Sequence, residues 1–172
     1  MDKLKKHISE IKDFPKQGIS FLDLNPIYRE PNIWNQSMIS LESFIINIEP
    51  DYIAGIESRG FIIGSALSYK LNKGFIPIRK PNKLPGKLIG LNYQLEYGQN
   101  RLEMQTEFNY KNKNILIIDD LLATGGTAEA AGKLIKNAGG NLIGYGFLIE
   151  LTKLKGRNKL CSKLIIESAI KY

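Results

Sequence analysis

One cysteine, one histidine and one tryptophan in 172 residues leave little room for several common chemistries. A single thiol, Cys161, excludes an internal disulfide and a cysteine-built metal site, and suits a packing residue in a reducing compartment. A single imidazole, His7, set among lysines, removes histidine metal clusters and argues against a histidine-based triad. No apolar run approaches the ~20 residues that a membrane span requires. Met1-Asp2-Lys3-Leu4-Lys5-Lys6 is charged with no apolar stretch behind it, so no secretion signal is expected. Internal repeats, low-complexity tracts and linkers are also missing. Together these absences predict one cytoplasmic domain spanning residues 1–172, without a membrane partner.

What is present supports a substantial core, because 43% of the residues are hydrophobic in a chain of single-domain length. Lys and Arg outnumber Asp and Glu by 24 to 17, giving a net charge of +7. The lysines are scattered and lack the aromatic interleaving of a nucleic-acid surface, so no nucleic acid is expected as a partner. A basic surface also attracts small polyanionic substrates.

The most informative stretch is Ile115-Leu116-Ile117-Ile118-Asp119-Asp120-Leu121-Leu122-Ala123-Thr124-Gly125-Gly126-Thr127. Its branched apolar run reads as a buried strand, with two carboxylates expected where the strand ends. Small residues then open a helix rich in alanine. Backbone N–H groups at such a helix start can cradle a phosphate, and glycines let the backbone approach it closely. The acidic pair can accept hydrogen bonds from ribose hydroxyls or hold a hydrated Mg²⁺.

Around this stretch the chain alternates between patterns of period two and 3.6. Leu4, Ile8 and Ile11 predict an N-terminal helix ending before Phe14-Pro15, and Pro31 to about Asn47 predicts a second. Tyr52 to Ile56 reads as a strand, Gly60 to Leu71 as a helix and Phe75 to Arg79 as a strand. Thr127 to Asn137 reads as a helix and Asn141 to Glu150 as a strand, with a short helix near 153–159 and a last strand near 164–167. The alternation predicts a central parallel sheet flanked by helices, with ligands beyond the carboxyl ends of the strands at the topological switch point. Residues 80–98 have little core of their own, as a lid would.

The motif, with its Leu-Leu-Ala-Thr-Gly-Gly-Thr spelling, resembles the phosphoribosyl pyrophosphate (PRPP) site of type I phosphoribosyltransferases, in particular the adenine phosphoribosyltransferases. Four further blocks follow the same family in order. Gly55-Ile56-Glu57-Ser58-Arg59-Gly60-Phe61 resembles its pyrophosphate segment, which contains a non-proline cis peptide, here implied at Glu57-Ser58. Arg79-Lys80-Pro81-Asn82-Lys83-Leu84-Pro85 resembles its cationic loop, and Tyr93-Gln94-Leu95-Glu96-Tyr97-Gly98 its flexible lid. Phe14 to Asp23 resembles its hood over the base, although Leu22 stands where an arginine is commoner.

The resemblance implies the type I fold with an N-terminal hood (1–30) and a flexible loop and β-arm (80–106). It implies transfer of phosphoribosyl from PRPP to adenine with Mg²⁺, by a homodimer. Ala123, Thr124, Gly125, Gly126 and Thr127 would hold the 5′-phosphate, and Asp119 and Asp120 the ribose hydroxyls and, through PRPP, the metal. Glu57, Ser58, Arg59, Arg79, Lys80 and Lys83 would serve the pyrophosphate. Ser20, Phe21, Leu22 and Leu121 would frame the base. Glu96 and Tyr97, with Arg59, would be the catalytic groups, and Glu103 is a weaker rival to Glu96.

Overall fold

The computed structural model describes residues 2–14, 16–18, 20–95 and 98–172. The chain opens with α1 (Asp2–Lys5), β1 (Ser9–Lys12), β2 (Ser20–Asp23), α2 (Asn25–Arg29) and α3 (Pro31–Ile45). Then follow β3 (Tyr52–Ile56), α4 (Arg59–Lys70), β4 (Gly74–Ile78) and the hairpin β5 (Leu88–Leu95) and β6 (Gly98–Gln105). The last third is β7 (Asn114–Leu122), α5 (Gly126–Asn137), β8 (Asn141–Glu150), two 3₁₀ turns (Thr152–Leu154 and Gly156–Lys159) and β9 (Ile165–Lys171).

Five strands form an all-parallel sheet in the order β4-β3-β7-β8-β9. The order reverses between β3 and β7, so the crevice at a switch point opens beyond their carboxyl ends. Both faces of the sheet are covered, which is why its central strand reads as an unbroken apolar run. Ile115 and Ile117 enter the core shared with α5 and the hairpin, whereas Leu116 and Ile118 enter the core shared with α1 to α4. All four are fully buried.

The strands β3 and β8 and the helices α3 to α5 lie where periodicity puts them, within a residue or two at their ends. Three expectations fail. The N-terminal helix stops at Lys5, and Ser9–Lys12 pairs antiparallel with Ser20–Asp23 instead. The chain reverses through Asp13, at φ 58°, whose carboxylate accepts the Gly18 N–H at 2.7 Å. Tertiary pairing there overrides a weak helical pattern, and Ile11 is left 43% exposed. Residues 88–95 and 98–105 form a paired ribbon, with Leu102 and Met104 buried and Ile89, Leu91 and Tyr93 packed against the core, so the arm has more core than its composition suggested. Cys161 is exposed at the turn before β9, not packed inside.

Phe147 sits fully buried in the core beneath α5, stacked 6.3 Å from Tyr145. Truncating Phe147 to Ala should cost about 3–5 kcal/mol, read as a lower urea midpoint at unchanged slope. A loss below about 1 kcal/mol would show that this face collapses to fill the gap.

Candidate active site

The strand β7 outruns its neighbour. Its pairing with β3 ends at Ile118, while its pairing with β8 continues to Leu122. Asp119 and Asp120 therefore stand on an overhang inside the strand's last turns, open on one edge to the segment that starts α4. They line a cavity of about 300 Å³ together with Glu57, Ser58, Arg59, Lys80 and the run Leu121 to Ala128. Of the residues read from the sequence as serving phosphate, ribose and pyrophosphate, all but Arg79 and Lys83 line this one cleft at the switch point.

Asp120 is buried, and Asp119 Oδ1 accepts its backbone N–H at 2.9 Å. Burial raises the Asp119 pKa well above the usual carboxylate range, and the neighbouring Asp120 charge adds to the rise. Asp120 is also raised by burial, against the opposing pull of Arg59. The Arg59 Nε lies 2.7 Å from Asp120 Oδ2, yet that oxygen has no directed hydrogen bond among the described residues. It is an ion contact that leaves a lone pair unused.

Arg59 holds the hood as well. Its Nη1 donates to the Leu22 carbonyl at 3.1 Å and its guanidinium lies over the Phe21 ring, 4.9 Å from the centroid. Phe21 in turn meets Phe14 edge-on at 5.2 Å. The hood residue Leu22 is thus tied to the cleft through its backbone, which its side-chain identity does not affect.

The peptide between Glu57 and Ser58 is cis, as the resemblance implied. The Glu57 carboxylate is taken up by partners of its own. It accepts Arg79 Nε at 3.1 Å and the Lys80 backbone N–H at 3.0 Å. Burial works to raise its pKa, but the Lys80 N–H and Arg79 outweigh it and hold the group below its ordinary value. Arg79 is engaged here and with the Lys83 carbonyl at 3.0 Å, so of the cationic loop Lys80 alone reaches the cavity wall. Lys83 is exposed beyond it.

Gly125, at φ 81°, is the N-cap of α5, and no side chain caps the helix. Its first-turn N–H groups are left to face the cleft. Thr127 Oγ1 stands 3.5 Å from the Tyr93 hydroxyl, which links the hairpin arm to this loop. Glu96 and Tyr97 lie outside the described residues. Glu103 is buried and engaged, accepting Arg101 Nε at 2.8 Å and the Asn82 N–H at 3.2 Å, which leaves it a structural role. Sequence reasoning missed Tyr28. Its hydroxyl is buried without a partner among the described residues, and burial first, then the Asp120 charge, raises its pKa far above the ordinary value. A tyrosine on a short helix carries no signal of that placement.

No cluster of three or more His, Cys, Asp or Glu side chains occurs among the described residues. The adjacent carboxylates and the unused Asp120 lone pair suit a hard cation that keeps waters and substrate oxygens as its other ligands, as Mg²⁺ does.

A family model for the phosphoribosyl transferase domain matches residues 34–166. An adenine phosphoribosyltransferase of Prochlorococcus marinus (strain NATL1A) is 64% identical over 172 residues, covering 100% of both chains. The crystal structure of adenine phosphoribosyltransferase from Rhodothermus marinus is 40% identical and superposes with a TM-score of 0.95 over 99% of this chain and 97% of the other. The Saccharomyces cerevisiae enzyme, solved with an imino-altritol bisphosphate and adenine, is 38% identical with a TM-score of 0.90 over 98% and 97%.

The raised Asp119 pKa has a consequence for stability. The folded state keeps this proton to higher pH than the unfolded chain does, so at pH 7 the group lowers the stability of the fold. That loss fades as pH falls through the raised pKa. Asp119→Asn can still accept the Asp120 N–H, so it should raise the melting temperature at pH 7, with the gain shrinking toward pH 4. Calorimetric scans across that range check it; a variant melting below its parent at pH 7 would refute it.

Proposed function

Because the chain belongs to the adenine phosphoribosyltransferases of the phosphoribosyl transferase family, we propose that it transfers 5-phosphoribosyl from PRPP to adenine, giving AMP and pyrophosphate. The observation that carries this reading is the single cleft joining an uncapped helix start, a buried and a half-buried carboxylate and the Glu57–Arg59 segment. A phosphate, a ribose and a pyrophosphate follow one another in PRPP in the same order.

Residues 123–127 hold the 5′-phosphate through backbone N–H groups and the two threonine hydroxyls. Asp119 and Asp120 accept the ribose hydroxyls. Mg²⁺, which such enzymes generally use, would rest on PRPP oxygens and this carboxylate pair and offset charge on the departing pyrophosphate. The Glu57-Ser58 backbone and Lys80 face the pyrophosphate, with Arg79 and Lys83 contributing field from outside the wall. Phe21 and Leu121 enclose the adenine ring, and backbone groups of Ser20 and Leu22 read its edge. The adenine N9 then attacks the anomeric carbon as its bond to the pyrophosphate oxygen breaks. Glu96, with Tyr97 beside it, accepts the proton released from the base. Positioning and electrostatics supply most of the acceleration.

Arg59 has two claims on it. Its guanidinium now occupies the Phe21 face and the Leu22 carbonyl that the base needs. PRPP draws it toward the pyrophosphate, which frees the base slot, so substrate order is built into one side chain. A homodimer working in the cytoplasm completes the reading.

Nucleotide formation from PRPP and Mg²⁺ with adenine, hypoxanthine, guanine and xanthine supplied separately tests it. AMP from adenine alone is expected. Glu96→Ala should lower kcat by on the order of 100-fold with PRPP binding retained. A nucleotide from another base, or an undiminished Glu96→Ala variant, would overturn the assignment of base or of proton acceptor respectively.

A further inference from the structure

The loop Ala123–Gly125 leaves the sheet with little to fix it. Leu122 is its last ladder residue, its carbonyl accepting the Leu151 N–H at 2.9 Å, and the helix beyond has no side-chain cap. What packs against the loop is the backbone of Gly156. A Cβ on Gly156 would run into the Ala123 carbonyl oxygen and lie 2.9 Å from the Gly125 nitrogen. A Cβ on Gly125 would run into the Gly156 carbonyl oxygen. Two glycines meet backbone to backbone, so wherever Gly156 goes the loop must follow.

Gly156 opens a 3₁₀ turn, preceded by Lys155 at φ 52° and followed by Arg157. Arg157 ties that turn to the sheet. Its Nε and Nη2 engage the two Glu150 carboxylate oxygens at 3.0 and 2.7 Å, and Nη1 donates to the Ile166 carbonyl at 2.5 Å. Ser168 Oγ donates to the same carboxylate at 2.9 Å. Glu150 ends β8 and pairs with Leu122 in the ladder, so the clamp is anchored on the strand next to the one that launches the loop. The Arg157 hydrogen bonds hold the buried Glu150 carboxyl below the usual carboxylate range. A planar fork matched to a carboxylate fixes orientation as well as distance, which a lysine does not.

We propose that Glu150, Arg157 and Gly156 are positioning residues for the 5′-phosphate, setting the loop through the glycine contact without touching the substrate. The proposal rests on the reading of residues 123–127 as the 5′-phosphate site. It predicts a split between ligands: those carrying a 5′-phosphate depend on the clamp, and those engaging the 57–59 segment or the hood do not.

The experiment compares wild type with Gly156→Ala and Arg157→Lys. Calorimetry gives the affinities for ribose 5-phosphate and for magnesium pyrophosphate, kinetics give KM for PRPP and for adenine, and melting temperatures are taken alongside. The Kd for ribose 5-phosphate and KM for PRPP should rise by on the order of 10- to 100-fold, as a displaced anchor does elsewhere. The pyrophosphate Kd and adenine KM should stay within about twofold. A variant that melts lower yet keeps its ribose 5-phosphate affinity shows a fold staple and overturns the proposal, as does equal loss for both ligands. If Gly156→Ala does not fold, Arg157→Lys decides alone. Wild type that binds ribose 5-phosphate but makes no AMP would sink the proposed transfer reaction, while the ligand split would still judge the clamp.

Discussion

Two adjacent carboxylates at the end of a buried strand constrain everything near them. Charge in a poorly solvated place is tolerated only with partners, and one partner here is a single arginine from the start of α4. Arg59 compensates Asp120 only in part, because it also serves Leu22 and Phe21. The compensation is left incomplete at a buried Asp120 oxygen in the wall of the cleft, where a movement of Arg59 toward a bound ligand would expose it. The order of the sheet makes this arrangement available: only where β3 stops and β7 continues is there an edge on which both acids can stand.

A second carboxylate shows the opposite solution. Glu57 faces the same cleft by sequence, yet Arg79 and the Lys80 N–H saturate it and lower its pKa. An anion-binding wall cannot present a free carboxylate to an anion. Pairing Glu57 with Arg79 and the Lys80 N–H converts a charge that would repel an anion into the brace that holds Lys80 at the cavity. Satisfied and unsatisfied acids thus sort by whether they face a cationic or an anionic part of the ligand.

The centre of the sheet was legible because β3, β7 and β8 are buried on both faces and read as unambiguous runs; Tyr52–Ile56 and Asn141–Glu150 were read residue for residue, whereas the half-exposed edge strand β9 runs on to Lys171, four residues past its expected end. The residues that line the cleft were legible because a run of small residues between a buried strand and a helix start stands out in the sequence. Ser9–Lys12 was not, since a short strand at the edge of a hood takes its pairing from elsewhere in the chain, and Leu4, Ile8 and Ile11 match a helix equally well. The partners of Glu57 were illegible for a different reason: Arg79 lies twenty-two residues away, and nothing local distinguishes an arginine that binds ligand from one that braces an acid. Arg157 and Tyr28 fall in the same class.

The start of α5 shows what such a site costs. A Ser, Asp or Asn at the N-cap would stabilise the helix over a glycine by about a few tenths of a kcal/mol. Gly125 stands there instead, with no side chain over the first N–H groups. A capping aspartate would satisfy those donors and repel a phosphate, so the stability it offers and the binding it prevents are the same interaction. The one acid in the first turn, Glu129, is drawn to Lys133 at 2.5 Å, one turn along the helix. The positive end of the helix dipole is therefore left undiluted toward the cleft. Helix stability has been given up at the turn where an incoming anion can restore it, and at that turn the loop relies on the Gly156 backbone for its position.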